Sequence, residues 1–600
     1  MVEEKTGAEG IRWELGDLYA STDDLEKDLE RADAEAQTFA ETYRGSVVGL
    51  TPVGLADALA RYEDVQDRLG RAYTYAYLNW STDTNDAQRG ALMQHVREAY
   101  TRTVQRLIFF ELEWVTVDDA RAAELLEAGE LSRFRHYLEL QRLRKDYLLS
   151  EPEEQVLAEK SVTGRSAWNR FFDETLGAAR FFVDGEELTE QEVLSKLHEG
   201  DRDVRRQAAL SLTEGLEMHG RSLSFIFNTI LADKASDDRL RGYESWLTAR
   251  NLSNEVDDET VAALVSAVTS RFDLVARYYR LKRDLLGYDE LFDYDRYAPL
   301  GEADTRYSWT QAREVVTDAY EAFHPRMGEI TDLFFEGSWI DAPVARGKRG
   351  GAFSHGAVPS AHPYILLNFT GKARDVQTLA HELGHGIHQY LARTQGVLQA
   401  DTPLTTAEMA SVFGEMLVFQ RLMKREQNPA NKLAMLIGKI DDTIATVFRQ
   451  IAMNRFEDRI HTARREHGEL AADQFAAHWM ETQRDMLQGS VTLGEHYRHW
   501  WSYIPHFLHS PGYVYAYAFG ELLVLAMYAR YLEDPVGFPD RYVRLLEAGG
   551  SDWPHVLVGK VGVDLQNPEF WALGLSAVEE LVEEAEKLAE AVEDAPAASN

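Results

Sequence analysis

The sequence predicts a mainly α-helical protein with a small β component. Three observations lead there: apolar residues recur at steps of three and four over long stretches, helix-start signals precede them, and strand-like runs are few and short. Thr51-Pro52 reads as a cap followed by a proline suited to the first helical turn, and Leu55, Leu59, Tyr62, Val65, Leu69, Tyr73 and Ala76 then form one apolar stripe. A second stripe runs through Leu92, Val96, Tyr100, Val104 and Leu107. Ser150-Glu151-Pro152-Glu153 and Thr189-Glu190-Gln191-Glu192 fit the capping box, in which a hydroxyl residue and a glutamate three positions on satisfy each other's backbone N–H groups. Between them, Ala179 to Leu188 reads as a short hairpin on an Asp184-Gly185 turn. A glycine- and proline-rich zone from about 336 to 371 contains one compact β-like run, Tyr364–Phe369, ended by Thr370-Gly371. The last helix includes Leu575 to Leu581, reaches about Val592 and gives way to a frayed tail over 591–600.

Composition excludes several kinds of work. The chain has 600 residues, with 63 Lys+Arg against 100 Asp+Glu and a formal net charge of −37. An average surface of that sign repels polyanions, and no basic stretch offsets it, so neither nucleic acid nor a membrane surface is expected as a partner. Cysteine is absent, which rules out disulfides, thiolate nucleophiles and thiolate metal sites, so that any metal must be held by His, Asp or Glu. The first ten residues lack the basic and apolar segments of a signal peptide, and no apolar run reaches the ~18 residues of a membrane span. The expected location is cytoplasmic, and no oligomeric state is indicated.

One constellation carries chemistry. His381-Glu382-Leu383-Gly384-His385 has the H-E-x-x-H pattern on a helical segment. At about 100° per residue, His385 stands roughly 40° from His381 and Glu382 roughly 100°, with His388 near the histidine pair. Val376, Leu379, Leu383, Ile387 and Tyr390 gather on the opposite side. Two imidazoles one turn apart can reach a single Zn²⁺, and the glutamate between them projects beside it, placed to hydrogen-bond a water. The alternative, a core helix with hydrogen-bonded histidines, requires three histidines and a glutamate each to find a buried partner. Glu408 offers a third donor; it also fits a capping box with Thr405, and both readings stand on sequence. Glu415, two turns further on the same face, is suited to orienting an imidazole.

The run Asp375-Val-Gln-Thr-Leu-Ala-His381-Glu-Leu-Gly-His385-Gly-Ile-His388, with Ala407-Glu-Met-Ala-Ser411, resembles the thimet oligopeptidase family of zinc metallopeptidases and, within it, the oligoendopeptidase F branch. Trp13 to Tyr19, Tyr294 to Leu300, Gly347 to Phe353 and Asn368 to Gly371 resemble other segments of that branch, so the likeness spans nearly the whole chain. The resemblance implies a two-lobed helical fold with a small sheet beside a deep zinc-containing cleft. It implies a helical region over 1–115, an oligopeptidase F-type N-terminal domain with the hairpin over 116–200, and a catalytic domain over 201–590. His381, His385 and Glu408 would hold one Zn²⁺, Glu382 would be the general base, and His506 with a nearby tyrosine, Tyr513 first and Tyr517 or Tyr515 as alternatives, would stabilise the oxyanion. The strand-like pieces Gly351–Ser354 and Tyr364–Phe369 would offer an edge to an extended peptide. Gly347-Lys-Arg-Gly-Gly lacks the G-x-x-x-x-G-K-[ST] spacing of a phosphate loop, so nucleotide is not expected.

The implied activity is zinc-dependent cleavage of internal bonds in short peptide substrates. The alternatives are an exopeptidase of carboxypeptidase or dipeptidyl type, or a non-catalytic zinc-containing scaffold that binds peptides.

Overall fold

Thr51 accepts the Gly54 N–H at 3.1 Å and Asp86 accepts the Gln88 N–H at 2.8 Å, and from these caps run two thirty-residue helices, Pro52–Ser81 and Ala87–Thr116. The computed structural model describes residues 5–301 and 306–593. Leu55, Leu59, Val65, Leu69 and Ala76 of the first stripe are buried, as are Val96 and Leu107 of the second. They meet Leu25, Leu29, Ala36 and Phe39 of helix Thr22–Tyr43 in one core. Each such aliphatic side chain contributes about 1.5–3 kcal/mol by leaving water, which outweighs the helix propensities of the exposed faces.

The chain divides into two units, each assembled from three separated stretches. One draws on Met1–Lys145, Thr305–Lys424 and Arg530–Asp564, the other on Asp146–Asp304, Arg425–Ala529 and Leu565–Asn600. The first holds a three-stranded sheet in which Tyr364–Phe369 is central, parallel to Ile340–Pro343 and antiparallel to Phe353–His355. Tyr364 and Leu366 join the core of the long helices, so one face of this strand is packed as tightly as they are.

The second unit is organised around helix Arg202–Arg241, against which helices Arg449–His467 and Ala472–Leu487 pack. Its core includes Phe227, Phe475, Trp479 and Trp501. The expected hairpin is present as Phe181–Val183 paired with Glu186–Leu188, with Asp184 at φ 51° and Gly185 at φ 81°, the double left-handed turn that an Asp-Gly pair favours. Both expected capping boxes form, Ser150 and Thr189 donating their backbone N–H groups to Glu153 and Glu192 at 2.9 and 2.7 Å. The final helix is Pro568–Glu593, and residues 594–600 of the expected tail lie outside the described residues.

The mainly helical class is as expected, and the strand Ile340–Pro343 is an addition to it. Its Asp341 is 1% exposed, a poor signal for a strand, and its charge is met by Lys348 at 2.6 Å and Arg12 at 2.9 Å. Lys348 also donates to the Asp341 and Pro343 carbonyls at 3.1 and 2.8 Å. All three ammonium donors of Lys348 are thereby used internally. Among the described residues no helix is long and apolar enough to cross a membrane.

Candidate metal centre and active site

Helix Ala373–Ala392 is anchored where it begins. The Asp375 carboxylate accepts the N–H of Lys372, the residue that caps the helix start, at 3.1 Å and that of Thr370, just before it, at 2.7 Å. Val376, Leu379, Leu383 and Ile387 are fully buried on one side, which turns His381 and His385 the other way. Two glycines let the neighbouring helix Met409–Arg425 come close. A Cβ on Gly384 would stand 2.3 Å from the Ala410 carbonyl oxygen, and one on Gly414 would collide with the Tyr320 hydroxyl, which donates to the Ala380 carbonyl at 2.7 Å. That contact brings Glu408 and Glu415 to the histidine pair.

Three donor atoms converge. His381 Nε2 and His385 Nε2 are 3.2 Å apart, and each is 3.4 Å from Glu408 Oε2. Tetrahedral ligands at 2.0–2.1 Å from an ion lie about 3.3–3.4 Å from one another, so the triangle has the edge length a zinc-sized ion requires. Among the described residues this is the one group of at least three His, Asp or Glu placed to share a metal. An N/N/O set of three leaves a coordination position for a reactant. The metal that such a set implies therefore fits the residues present.

Around this triangle, Glu415 Oε1 lies 2.5 Å from His381 Nδ1, and the Ser411 hydroxyl donates to Glu408 Oε2 at 2.8 Å. Burial disfavours a proton on His381, but the bond to Glu415 and the charges of Glu415, Glu408 and Glu382 outweigh it and raise its pKa to about 9. Burial pushes Glu408 up, yet His385 and His381, with the Ser411 hydroxyl, bring it down to about 2. Both directions report a pocket that favours positive charge between the imidazoles and the carboxylate. Glu382 is 6% exposed and its pKa is raised, burial outweighing the neighbouring imidazoles. Its neighbour in space is Ser354 of the edge strand, whose backbone N–H supports the carboxylate form.

Glu408 does not cap a helix with Thr405. Thr405 lies inside the short turn Leu404–Ala407, and Glu408 stands at the junction before Met409, its side chain turned to Ser411 and the histidines. His388 is buried, 5% exposed, its pKa pushed down to about 4 by burial, and it is not one of the three converging donors. Sequence reasoning missed Ser411, although a hydroxyl three residues beyond a glutamate on a helix start was a readable signal.

The remaining expected residues lie in the other unit and form their own cluster. His506 Nε2 and the Tyr517 hydroxyl are 3.3 Å apart; the His506 and Tyr513 rings are stacked with centroids 6.2 Å apart, and Tyr513 meets Tyr517 edge-on at 5.0 Å. Burial, then the charge of Arg449, pushes the His506 pKa down, so its imidazole is neutral. Tyr515 is separated from this group: it is fully buried, its hydroxyl donating to Asn251 at 2.7 Å and accepting from Asn254 at 2.8 Å. It is a core residue, which leaves Tyr513 and Tyr517 with His506.

Residues 195–576 match the family model of peptidase family M3, and residues 113–181 match that of oligopeptidase F. The first match alone spans more than half of the chain. The chain belongs to peptidase family M3. Among curated proteins, this M3 chain is 28% identical to oligopeptidase PepF of Bacillus subtilis, covering 96% of this chain and 87% of that one. It is 27% identical to the group B oligopeptidase PepB of Streptococcus agalactiae over 97% of each. Its fold is that of a solved Chlamydophila abortus chain, with a TM-score of 0.87 at 22% identity over 96% and 98% of the two chains. The fold is shared also with oligoendopeptidase F of Enterococcus faecium, at a TM-score of 0.70 and 22% identity over 95% and 99%. Membership of M3 makes the protein a metallopeptidase acting on peptides, and it implies a divalent metal, for which the donor triangle supplies a fitting place.

Proposed function

We propose that the protein is a zinc-dependent oligoendopeptidase that hydrolyses internal bonds of short peptides, with one Zn²⁺ held by His381, His385 and Glu408. The observation that carries this reading is the donor triangle of 3.2–3.4 Å edges with Glu382 beside it on the same helix. A divalent ion there supplies Lewis-acid polarisation of a carbonyl and a lowered pKa for water. Glu382 takes the proton of the attacking water and delivers it to the leaving amine, a transfer that its buried, acid-favouring setting suits. His506, Tyr513 and Tyr517 contribute neutral N–H and O–H donors to the developing oxyanion, which a second negative side chain would repel. The outer edge of strand Phe353–His355 gives an extended substrate backbone N–H and C=O partners close to Glu382. The endopeptidase assignment is supported by the oligoendopeptidase F names of the relatives that cover 97% of the chain. In domain terms, the chemistry belongs to 201–590, with 1–115 and 116–200 as N-terminal regions.

The test is Glu382→Gln beside the wild type, using a peptide of about ten residues and mass spectrometry of the products. The wild type cuts internal bonds, whereas Glu382→Gln keeps its zinc and loses cleavage by three orders of magnitude or more. Cleavage confined to the ends would overturn the endopeptidase reading, and an active Glu382→Gln would overturn the role of the base.

A further inference from the structure

The turn that carries Tyr513 is held by a carboxyl group that the reaction does not use. Glu457, on helix Arg449–His467, is fully buried, and its Oε1 accepts the Gly512 backbone N–H at 2.9 Å. Its Oε2 has no hydrogen-bond partner among the described residues. A buried, half-satisfied carboxyl costs stability, and an apolar side chain of the same shape would cost less if packing were its only purpose. What the carboxyl adds is a fixed point for one backbone amide. Gly512 has φ +75°, and a Cβ there would stand 2.7 Å from Leu247 Cδ2, so the turn is pressed against its support without slack. Trp246, beside it, donates its indole N–H to Asp458 at 2.9 Å, so the helix that holds the turn also holds the wall behind it. Next along the chain, Tyr513 has the Arg250 guanidinium 5.9 Å from its ring centre and joins His506 and Tyr517.

We infer that Glu457 is a positioning residue for catalysis, fixing the turn Ser510–Tyr513 so that the Tyr513 hydroxyl is presented at one depth. The inference rests on the assignment of Tyr513 as an oxyanion donor. Burial, opposed by the Gly512 N–H and Arg250, raises the Glu457 pKa to about 8, so glutamine at this position reproduces both the uncharged state and the acceptor. Methionine reproduces the length and removes the acceptor.

The experiment is a double-mutant cycle on the zinc-loaded full chain, with Glu457→Gln, Glu457→Met, Tyr513→Phe and the double variant Glu457→Met/Tyr513→Phe, read as kcat and KM on one peptide. Glu457→Met should lower kcat about tenfold or more, with KM within threefold and zinc content unchanged. Glu457→Gln should stay within threefold of wild type, and the loss from Glu457→Met should largely vanish in the Tyr513→Phe background. Wild-type kcat in Glu457→Met, or losses that multiply in the double variant, would overturn the inference while leaving Tyr513 its role. Wild-type activity in Tyr513→Phe would instead overturn the assignment of Tyr513, and with it the route proposed for Glu457. Should Glu457→Met fail to fold, Glu457→Asp, which withdraws the acceptor by one methylene, takes its place in the cycle.

Discussion

Glu415 Oε1 lies 2.5 Å from His381 Nδ1, the ring nitrogen opposite the one that faces His385 and Glu408. The contact holds a proton on Nδ1 and fixes the ring plane, so that a metal displacing the proton on Nε2 would meet a lone pair directed at the donor triangle. Glu415→Ala should therefore weaken metal binding ten- to hundredfold without removing a donor, and Glu415→Gln, whose amide oxygen still accepts the N–H, should weaken it less. Competition with a chromogenic chelator measures this, and equal affinity in Glu415→Ala and wild type would sink it.

Gly384 is where the helix of the histidine pair touches the helix that Glu408 precedes. With 2.3 Å between a Cβ at 384 and the Ala410 carbonyl oxygen, Gly384→Ala forces the helices apart. Overpacking of this kind costs about 1–3 kcal/mol, and the same displacement carries Glu408 away from the histidines. The expected outcome is a lower Tm together with a lower zinc content. Gly438→Ala, in the interior of helix Pro429–Thr443 with nothing within 4 Å of the new methyl group, should instead stabilise by about 0.5–1 kcal/mol. A lowered Tm in both variants would show that the close approach at Gly384 is not the cause.

These contrasts mark what the sequence could and could not convey. The histidine pair was legible because a period of 3.6 puts positions i and i+4 on one face, and the hairpin because Asp-Gly favours the turn it occupies. Glu408 and Thr405 were ambiguous because a capping box and a metal donor share the same local spacing; what separates them is the position of a helix from another part of the chain. Tyr513, Tyr515 and Tyr517 alternate along one segment, and only Asn251 and Asn254, more than 250 residues upstream of Tyr515, identify it as the core member. Asp341 concealed a strand, since a buried aspartate is acceptable only where Lys348 and Arg12 meet it.

The donor triangle concentrates negative charge, with Glu382, Glu408 and Glu415 all acting on His381. An ion bound there stabilises the folded state by mass action. At free zinc a hundredfold above the dissociation constant, the gain is about 2.7 kcal/mol. Chelation should lower the Tm, and zinc should restore it in wild type and in Glu382→Gln but not in His385→Ala or Glu408→Ala. Calorimetry with and without chelator decides, and full restoration in His385→Ala would place the ion elsewhere.

Glu457 gives the pH dependence of stability a defined sign. Its folded pKa is raised to about 8 by burial, only partly offset by the Gly512 N–H and Arg250, against an ordinary value of 4.5. Between those values the folded chain keeps the proton and the unfolded chain releases it, so unfolding is favoured as the pH rises. The contribution is complete below about pH 4.5, declines steadily up to about pH 8 and is constant above that. Glu457→Gln cannot ionise, so the difference in Tm between it and wild type should move in favour of the variant from pH 5 to pH 8 and then level off. Thermal unfolding of the two proteins in matched buffers measures that difference, in which the titrations common to both cancel. A difference that stays constant across the range would mean that the carboxyl ionises inside the fold as readily as in water.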